Sequence, residues 1–327
     1  MIPLIELIGK DILRNRWIER WRKLGDFSLR QSSIRQFRHC PRKFYHDYLT
    51  PKVEGDESWA KPAYFIMGTY FHSVCEELLL GAAPEPERIL VRLFEEEGNT
   101  KADFSDVLHR VDNKEIFYGE SLNDLARKTV SFLTMYGLTP EKLEQRERLM
   151  VGKVEIVGTP DIVSRHRETG ERYVLDIKTS GLWKKFFGNG SLSKVEYKPD
   201  QITFSTQLQH YDWMMYRLYG VKADWYGYIC PVNFIPNTSG KNKGMIRGEP
   251  IMIAPAATES QIVNIYEDDL YGTAREISRC INDDYFPRSR PETYGKLDCV
   301  DCRHRNVCLG QREMNFDIPD FINKEEG

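Results

Sequence analysis

The chain has 327 residues, 41% of them hydrophobic and 29% charged, with a formal net charge of −3. This is a globular composition with enough apolar mass for a core, and the length admits two ordinary domains or one elaborated α/β unit. Mean hydropathy is −0.52, no apolar run approaches the ~18 residues of a bilayer crossing, and Met1-Ile-Pro-Leu-Ile-Glu6 lacks the basic and apolar regions of a secretory leader. A membrane-spanning protein, a coiled coil and a disordered tail are excluded, and we read the chain as cytoplasmic.

The charge is unevenly spread. Residues 10–43 hold eleven Lys or Arg and three acids, a local charge of +8 that leaves −11 for the remainder. Trp17, Trp21, Phe27, Phe37 and Phe44 interleave with these cations. Such a segment suits a phosphate backbone and unstacked bases. It equally suits a solvated helix whose aromatics pack on a core. We take 1–30 as a basic helical extension.

Along the chain, Tyr64, Met67, Phe71, Val74 and Leu78 recur at helical spacing, which predicts a helix over 63–80 ended by Gly81. A second helix is expected over 121–136, opened by Ser121 and closed by Gly137 before Pro140. The period then changes. Met150–Val157, Asp161–Arg165 and Tyr173–Lys178 are short β-branched or apolar runs split by turn residues, and they read as three neighbouring strands. A helix over about 204–219 follows, then the apolar strand Trp225–Val232. Pro236–Gly248, rich in Gly, Asn and Lys, reads as a mobile loop, and a long helix covers 258–282. This order describes one mixed-sheet α/β domain over 31–310 with a tail over 311–327, and no linker divides it. There is no P-loop, dinucleotide fingerprint or internal repeat.

Gly158-Thr159-Pro160-Asp161 opens one expected strand and Asp176-Ile177-Lys178 closes the next. Side chains alternate across a strand, so Asp176 and Lys178 share a face, and Asp161 on the adjacent strand is placed to join them. Two converging carboxylates form a hard oxygen site for Mg²⁺ or Mn²⁺. A lysine beside such an ion can orient a water or lower its pKa. The competing reading is an exposed ion pair on an edge strand.

Seven cysteines, an odd number without a secretory leader, argue against a disulfide framework. Cys75, Cys230 and Cys280 sit among apolar neighbours and read as small buried hydrophobes. Cys299, Cys302 and Cys308 form a C-x2-C-x5-C cluster with Cys40 as the natural fourth thiolate. Sets of four hold either structural zinc or an iron–sulfur cluster, and His39 or His304 is available as a nitrogen ligand in the zinc case.

Taken together, Pro160-Asp161, then Asp176-Ile177-Lys178, resembles the PD-(D/E)XK nuclease superfamily, with a restriction-endonuclease-like core. Gly68-Thr-Tyr-Phe-His72 on the preceding helix and Gln207-Leu-Gln-His-Tyr211 on the following one are similar to its RecB-like members. The four cysteines resemble those of the iron–sulfur nucleases, which include AddB-type recombination nucleases and RecB-like exonucleases of CRISPR adaptation. The resemblance covers about 32–310 through short motifs only, and 86–120 and 180–200 match nothing in it. It implies a metal-dependent DNA exonuclease of DNA processing, repair, recombination or CRISPR adaptation, acting on single-stranded ends. His72, Asp161, Asp176 and the Ile177 carbonyl would hold Mg²⁺ or Mn²⁺, Lys178 would position and activate the water, and Gln207 and Tyr211 would orient substrate or Lys178. Cys40, Cys299, Cys302 and Cys308 would hold a 4Fe–4S cluster that staples the two ends of the domain. Nuclease, helicase or integrase subunits would be its partners. The chain departs from many iron–sulfur members in carrying Asp176 where they carry Glu, which bears on metal preference. The rival reading is a non-catalytic nucleic-acid-binding subunit, stapled by iron–sulfur or zinc.

Overall fold

A computed structural model describes residues 28–49, 63–97, 103–151, 154–187, 192–283 and 285–287, together with positions 302, 304 and 308. Residues 1–27 of the basic segment, Cys299 and the 311–327 tail lie outside the described residues. In chain order the elements are β1 (Ser28–Arg30), α1 (Gln31–His39), α2 (Pro41–Phe44) continued by a π-helical turn over Tyr45–Leu49, α3 (Ala63–Leu79), α4 (Pro86–Glu97), α5 (Phe104–Val111) and α6 (Leu122–Met135). Then come β2 (Leu138–Leu143), β3 (Glu147–Val151), β4 (Val154–Gly158), β5 (Ile162–His166), β6 (Arg172–Ile177), α7 (Trp183–Phe186), α8 (Pro199–Thr203) and α9 (Thr206–Tyr219). The chain continues with β7 (Trp225–Ile229), a 3₁₀ turn over Pro231–Phe234, β8 (Ile251–Pro255), a π-helical turn over Gln261–Glu267 and α10 (Asp268–Asn282).

The chain divides into two compact units, residues 1–31 with 59–271 and residues 32–58 with 272–327. The first carries both sheets. A five-stranded mixed sheet runs in the order β2-β5-β6-β7-β8, with β6 and β7 parallel and the other neighbours antiparallel. A three-stranded sheet runs β1-β4-β3, with β1 parallel to β4. The fold is α/β, mixed sheets flanked by helices.

The helices form where the sequence carries their signals. Ser121 and Asp124 cap the start of α6 reciprocally, and Gly137 follows its end at φ 80°, a left-handed conformation that costs glycine little. Ser205 caps α9 and Gly220 closes it at φ 65°. α3 buries Met67, Tyr70, Phe71 and Val74 in one apolar cluster with Leu122 and Leu125 of α6 and Leu175 and Ile177 of β6. Each such side chain contributes about 1.5–3 kcal/mol, so the helix that carries His72 is held firmly against the strand that carries Asp176.

One expectation needs correction. Met150–Val157 is not one strand: it belongs to the antiparallel pair β3/β4, which meets at Val151 and Val154. That pair lies in the three-stranded sheet, so only Asp161–Arg165 and Tyr173–Lys178 are neighbours as expected. β2 is not among the expected strands and follows Gly137 directly despite Pro140. As an edge strand it tolerates a proline, and its pairing with β5 shifts register between Pro140 and Lys142. Pro236–Gly248 is a loop as expected, closed like a hairpin, with Asn237 N–H donating to the Met245 carbonyl at 2.8 Å, Gly244 N–H to the Asn237 carbonyl at 2.8 Å, and a bridge between Pro236 and Ile246.

In the second unit, the Phe44 ring stacks on Phe286, and Arg42 N–H donates to the Pro287 carbonyl at 3.0 Å. His304 Nε2 lies 2.6 Å from Asp47 Oδ1, and the His304 and His46 rings stack. The segment bearing Cys302 and Cys308 therefore meets the segment bearing Cys40. These three thiols are part-exposed and form no disulfide, and Cys40 Sγ accepts the Lys43 N–H at the start of α2.

Candidate metal centre and active site

The register of β5 on β6 pairs Ile162 with Leu175, and one step further sets Asp161 opposite Asp176. Opposite residues on antiparallel strands project to the same face. Asp161 Oδ2 accepts a 2.7 Å hydrogen bond from the Ile177 N–H. On the next position of that face Lys178 Nζ stands 2.6 Å from Asp176 Oδ2. The alternation expected for Asp176, Ile177 and Lys178 holds, and the Ile177 side chain goes to the core.

From the other wall, His72 of α3 points its ring between the strands. Nδ1 lies 3.0 Å from Glu144 Oε1 and 3.5 Å from Asp161 Oδ1, and Nε2 lies 3.2 Å from the Ile177 carbonyl oxygen. A methyl at Gly68, one turn earlier, would meet Thr179 Oγ1 at an ordinary 3.7 Å. That glycine therefore leaves the cavity open rather than relieving a clash.

Gln207 of α9 joins the carboxylate to the lysine. Its Oε1 accepts from Lys178 Nζ at 2.8 Å, while Nε2 donates to Asp176 Oδ1 at 2.6 Å and to the Tyr211 hydroxyl at 3.0 Å. An ammonium on one side and a carboxylate on the other leave the amide a single orientation. The i, i+4 pair Gln207 and Tyr211 thus meets as its spacing suggested, and Tyr211 touches Gln207 rather than Lys178. All these groups except Tyr211 line one cavity of about 760 Å³ that opens along α3.

The electrostatics follow from burial. Removal from water pushes the Asp176 carboxyl up, and repulsion from Asp161 adds to it; Lys178 opposes both, and the result is a pKa of about 7. Burial and the Glu144 charge push Asp161 up as well, against the pull of His72. Burial disfavours the His72 cation, but Asp161 and Glu144 outweigh it and hold its pKa up at about 9. Burial works against the Lys178 ammonium too, and Asp176 outweighs it, so the lysine stays charged.

A divalent cation fits this donor set. Ligand atoms of His72, Glu144 and Asp161 all lie within 4.8 Å of one another, the one such group among the described residues. Asp176 Oδ2 is buried and receives no hydrogen bond, its contact with Lys178 being an ion pair outside hydrogen-bond geometry. Two crowded, buried carboxylates, both pushed up from the ordinary range and one facing only the Lys178 ammonium at its second oxygen, are what a hard cation relieves.

The sequence model of the PD-(D/E)XK nuclease superfamily matches residues 28–309. The chain belongs to that superfamily. Comparison with curated proteins finds no match. PD-(D/E)XK proteins are typically metal-dependent nucleases, and the Pro160-Asp161 and Asp176-Ile177-Lys178 elements of this member stand on adjacent strands at one cavity. Among the described residues no helix is long and apolar enough to cross a membrane.

Sequence reasoning missed one group of this cavity, Glu144. It follows β2 with φ 44°, a left-handed conformation that costs a residue with a Cβ about 1–2 kcal/mol. Its N–H donates to the Asp161 carbonyl at 3.1 Å. That bond turns the chain out of the strand and carries the carboxylate to His72. Nothing in Leu143-Glu144-Gln145-Arg146 marks such a turn, because Glu is not a residue that favours it.

Proposed function

We propose that this protein is a metal-dependent DNA exonuclease. The observation that carries the reading is the convergence of His72, Glu144, Asp161, Asp176, the Ile177 carbonyl and Lys178 on one open cavity. Asp161, Asp176 and the Ile177 carbonyl, with His72 and Glu144 beside them, would hold Mg²⁺ or Mn²⁺. When bound, such an ion offsets charge on a phosphodiester and acidifies a water. Lys178 keeps its proton beside Asp176, so it acts as a donor that orients the attacking water and steadies the phosphate. Gln207 fixes the direction of the Lys178 ammonium, and Tyr211 supports Gln207. A strand end enters this pocket, and the basic 10–43 segment would track the strand.

The second part of the reading is the staple. Cys40, Cys302 and Cys308, with Cys299, would hold a 4Fe–4S cluster. The support is that Cys40, Cys302 and Cys308 share one compact unit, in which His304 of the cysteine-bearing segment meets Asp47 of the segment that follows Cys40. Joining segments more than two hundred residues apart in the sequence removes loop entropy from the unfolded chain, and assembly of the site would be coupled to folding. Anaerobic purification tests it: iron and sulfide in a brown protein support the cluster, and a colourless protein with zinc overturns it.

The function is tested by digesting end-labelled linear DNA and closed circular DNA with Mg²⁺ or Mn²⁺. Linear substrate is degraded and the circle spared. Lys178→Ala abolishes cleavage while folding and DNA binding persist. Full cleavage by that variant would remove the site assignment, and digestion of the circle would remove the exonuclease one.

A further inference from the structure

We propose that the rings of Tyr64 and Phe65 form a stacking platform for unpaired bases, which selects single-stranded DNA over duplex at the mouth of the cavity. This rests on the nuclease reading above and names the residues that choose its substrate.

α3 has two faces. Ile66, Met67, Tyr70, Phe71 and Val74 are 0–1% exposed and belong to the core. Tyr64, Phe65, Gly68, Thr69, His72 and Ser73 line the cavity instead. Core packing therefore does not explain two large aromatics at the start of the cavity face. They are 46% and 53% exposed, yet their rings lie against each other with centroids 4.9 Å apart and planes 28° from parallel. An exposed pair of stacked rings costs apolar hydration and offers a ring face to a third partner. A nucleobase is such a partner, and stacking on aromatics is tolerant of base identity.

Between the rings and the metal centre the cavity face of α3 carries Gly68 and Thr69 one turn below the rings, then Ser73 beside His72 another turn on. Eight positions separate Tyr64 from His72, about 12 Å along the axis, which is the rise of about three stacked bases. Thr179, Ser180 and Trp183, on the segment after Lys178, face the same cavity. A strand whose bases stack on Tyr64 and Phe65 would thus present a phosphate about three nucleotides away to Asp161 and Lys178. Bases inside a duplex stack on both neighbours, and only the outer face of a blunt terminal pair is left for the rings, so a duplex gains less from the platform than a single strand does.

The test measures affinity by fluorescence anisotropy for a single-stranded oligonucleotide, an abasic strand of equal length, and a blunt duplex. Tyr64→Ala with Phe65→Ala should weaken binding of the base-carrying strand about 10- to 100-fold. The abasic strand should be bound as by wild type, the duplex should lose less affinity than the base-carrying strand, Mn²⁺ binding should be unchanged, and Tyr64→Phe with Phe65→Tyr should restore affinity. In digestion the loss should fall on KM rather than kcat. The platform is overturned if the double alanine variant binds the base-carrying strand like wild type, or loses the base-carrying and abasic strands equally. Failure of the nuclease reading shows separately, as a wild-type protein that binds these strands but cleaves none of them.

Discussion

One oxygen of Asp161 is held by the backbone of Ile177, its N–H donating at 2.7 Å, while the other oxygen faces His72 at 3.5 Å. The strand beside it thus fixes the carboxylate's direction, so only one oxygen remains for a cation. Asp161→Asn keeps an acceptor for Ile177 and removes the charge. Folding should persist, Mn²⁺ affinity should fall, and cleavage should drop by more than about 100-fold. Calorimetric titration with Mn²⁺ alongside cleavage kinetics checks this, and wild-type turnover in the variant contradicts it.

Glu144 should separate metal binding from stability, because its carboxylate lies 3.0 Å from His72 while its backbone is strained at φ 44°. Glu144→Gly relieves the left-handed cost of about 1–2 kcal/mol, offset in part by the freer unfolded chain. Thermal stability should be maintained or rise slightly. Mn²⁺ affinity should fall by about 10- to 100-fold. A variant that unfolds more readily yet binds metal normally would show that the residue serves only the turn.

Gln207→Ala cuts the bridge from Asp176 to Lys178 while sparing both. The ammonium then loses its direction rather than its charge. Cleavage should fall about 10- to 100-fold with Mn²⁺ affinity nearly intact. Tyr211→Phe removes only the hydroxyl that Gln207 donates to, so its effect should be smaller than that of Gln207→Ala. Equal losses in the two variants would place Tyr211 at the reacting groups instead.

His210 carries a pH signature away from the metal centre. Its Nε2 donates to the Val157 carbonyl at 3.0 Å and its Nδ1 accepts from the Tyr266 hydroxyl at 2.6 Å. Burial lowers its pKa to about 4 from an ordinary 6.5. Between those values the unfolded chain takes up a proton and the folded one does not, so acid favours unfolding. The neutral ring's contribution is complete above pH 6.5 and lost as pH falls toward 4, up to about 3 kcal/mol. Asp161 and Asp176, raised rather than lowered, act with the opposite sign, so the comparison must be with His210→Gln. Urea unfolding at pH 7 and pH 5 should show the wild type losing more stability than the variant. An equal loss in both removes the assignment.

The helices and the two motif strands are legible because their signals are local. Side-chain periods of 3.6 and 2, a Ser cap before α6 and α9, and a Gly after each declare α3, α6, α9, β5 and β6 without any long-range contact. The chain order of His72, Asp161, Asp176, Lys178 and Gln207 likewise reads from the sequence, and so does the expectation that the carboxylates and lysine share a face, which follows from strand alternation alone.

Long-range placement decided the rest. Glu144 joins His72 from 72 positions away through a strained turn with no residue signature. Gln207 meets Lys178 because α9 packs against β6 as well as β4, and at β4 a methyl on Gly158 would come within 2.6 Å of Met214 Sδ and 3.2 Å of the His210 and Tyr211 rings, a closeness no pattern in either segment records. β2 hides behind Pro140, since a proline is harmful or harmless according to whether a strand lies at a sheet's edge. Periodicity is a property of neighbours along the chain. Cavities, close approaches and sheet order depend on which surfaces meet, and only the packed molecule settles that.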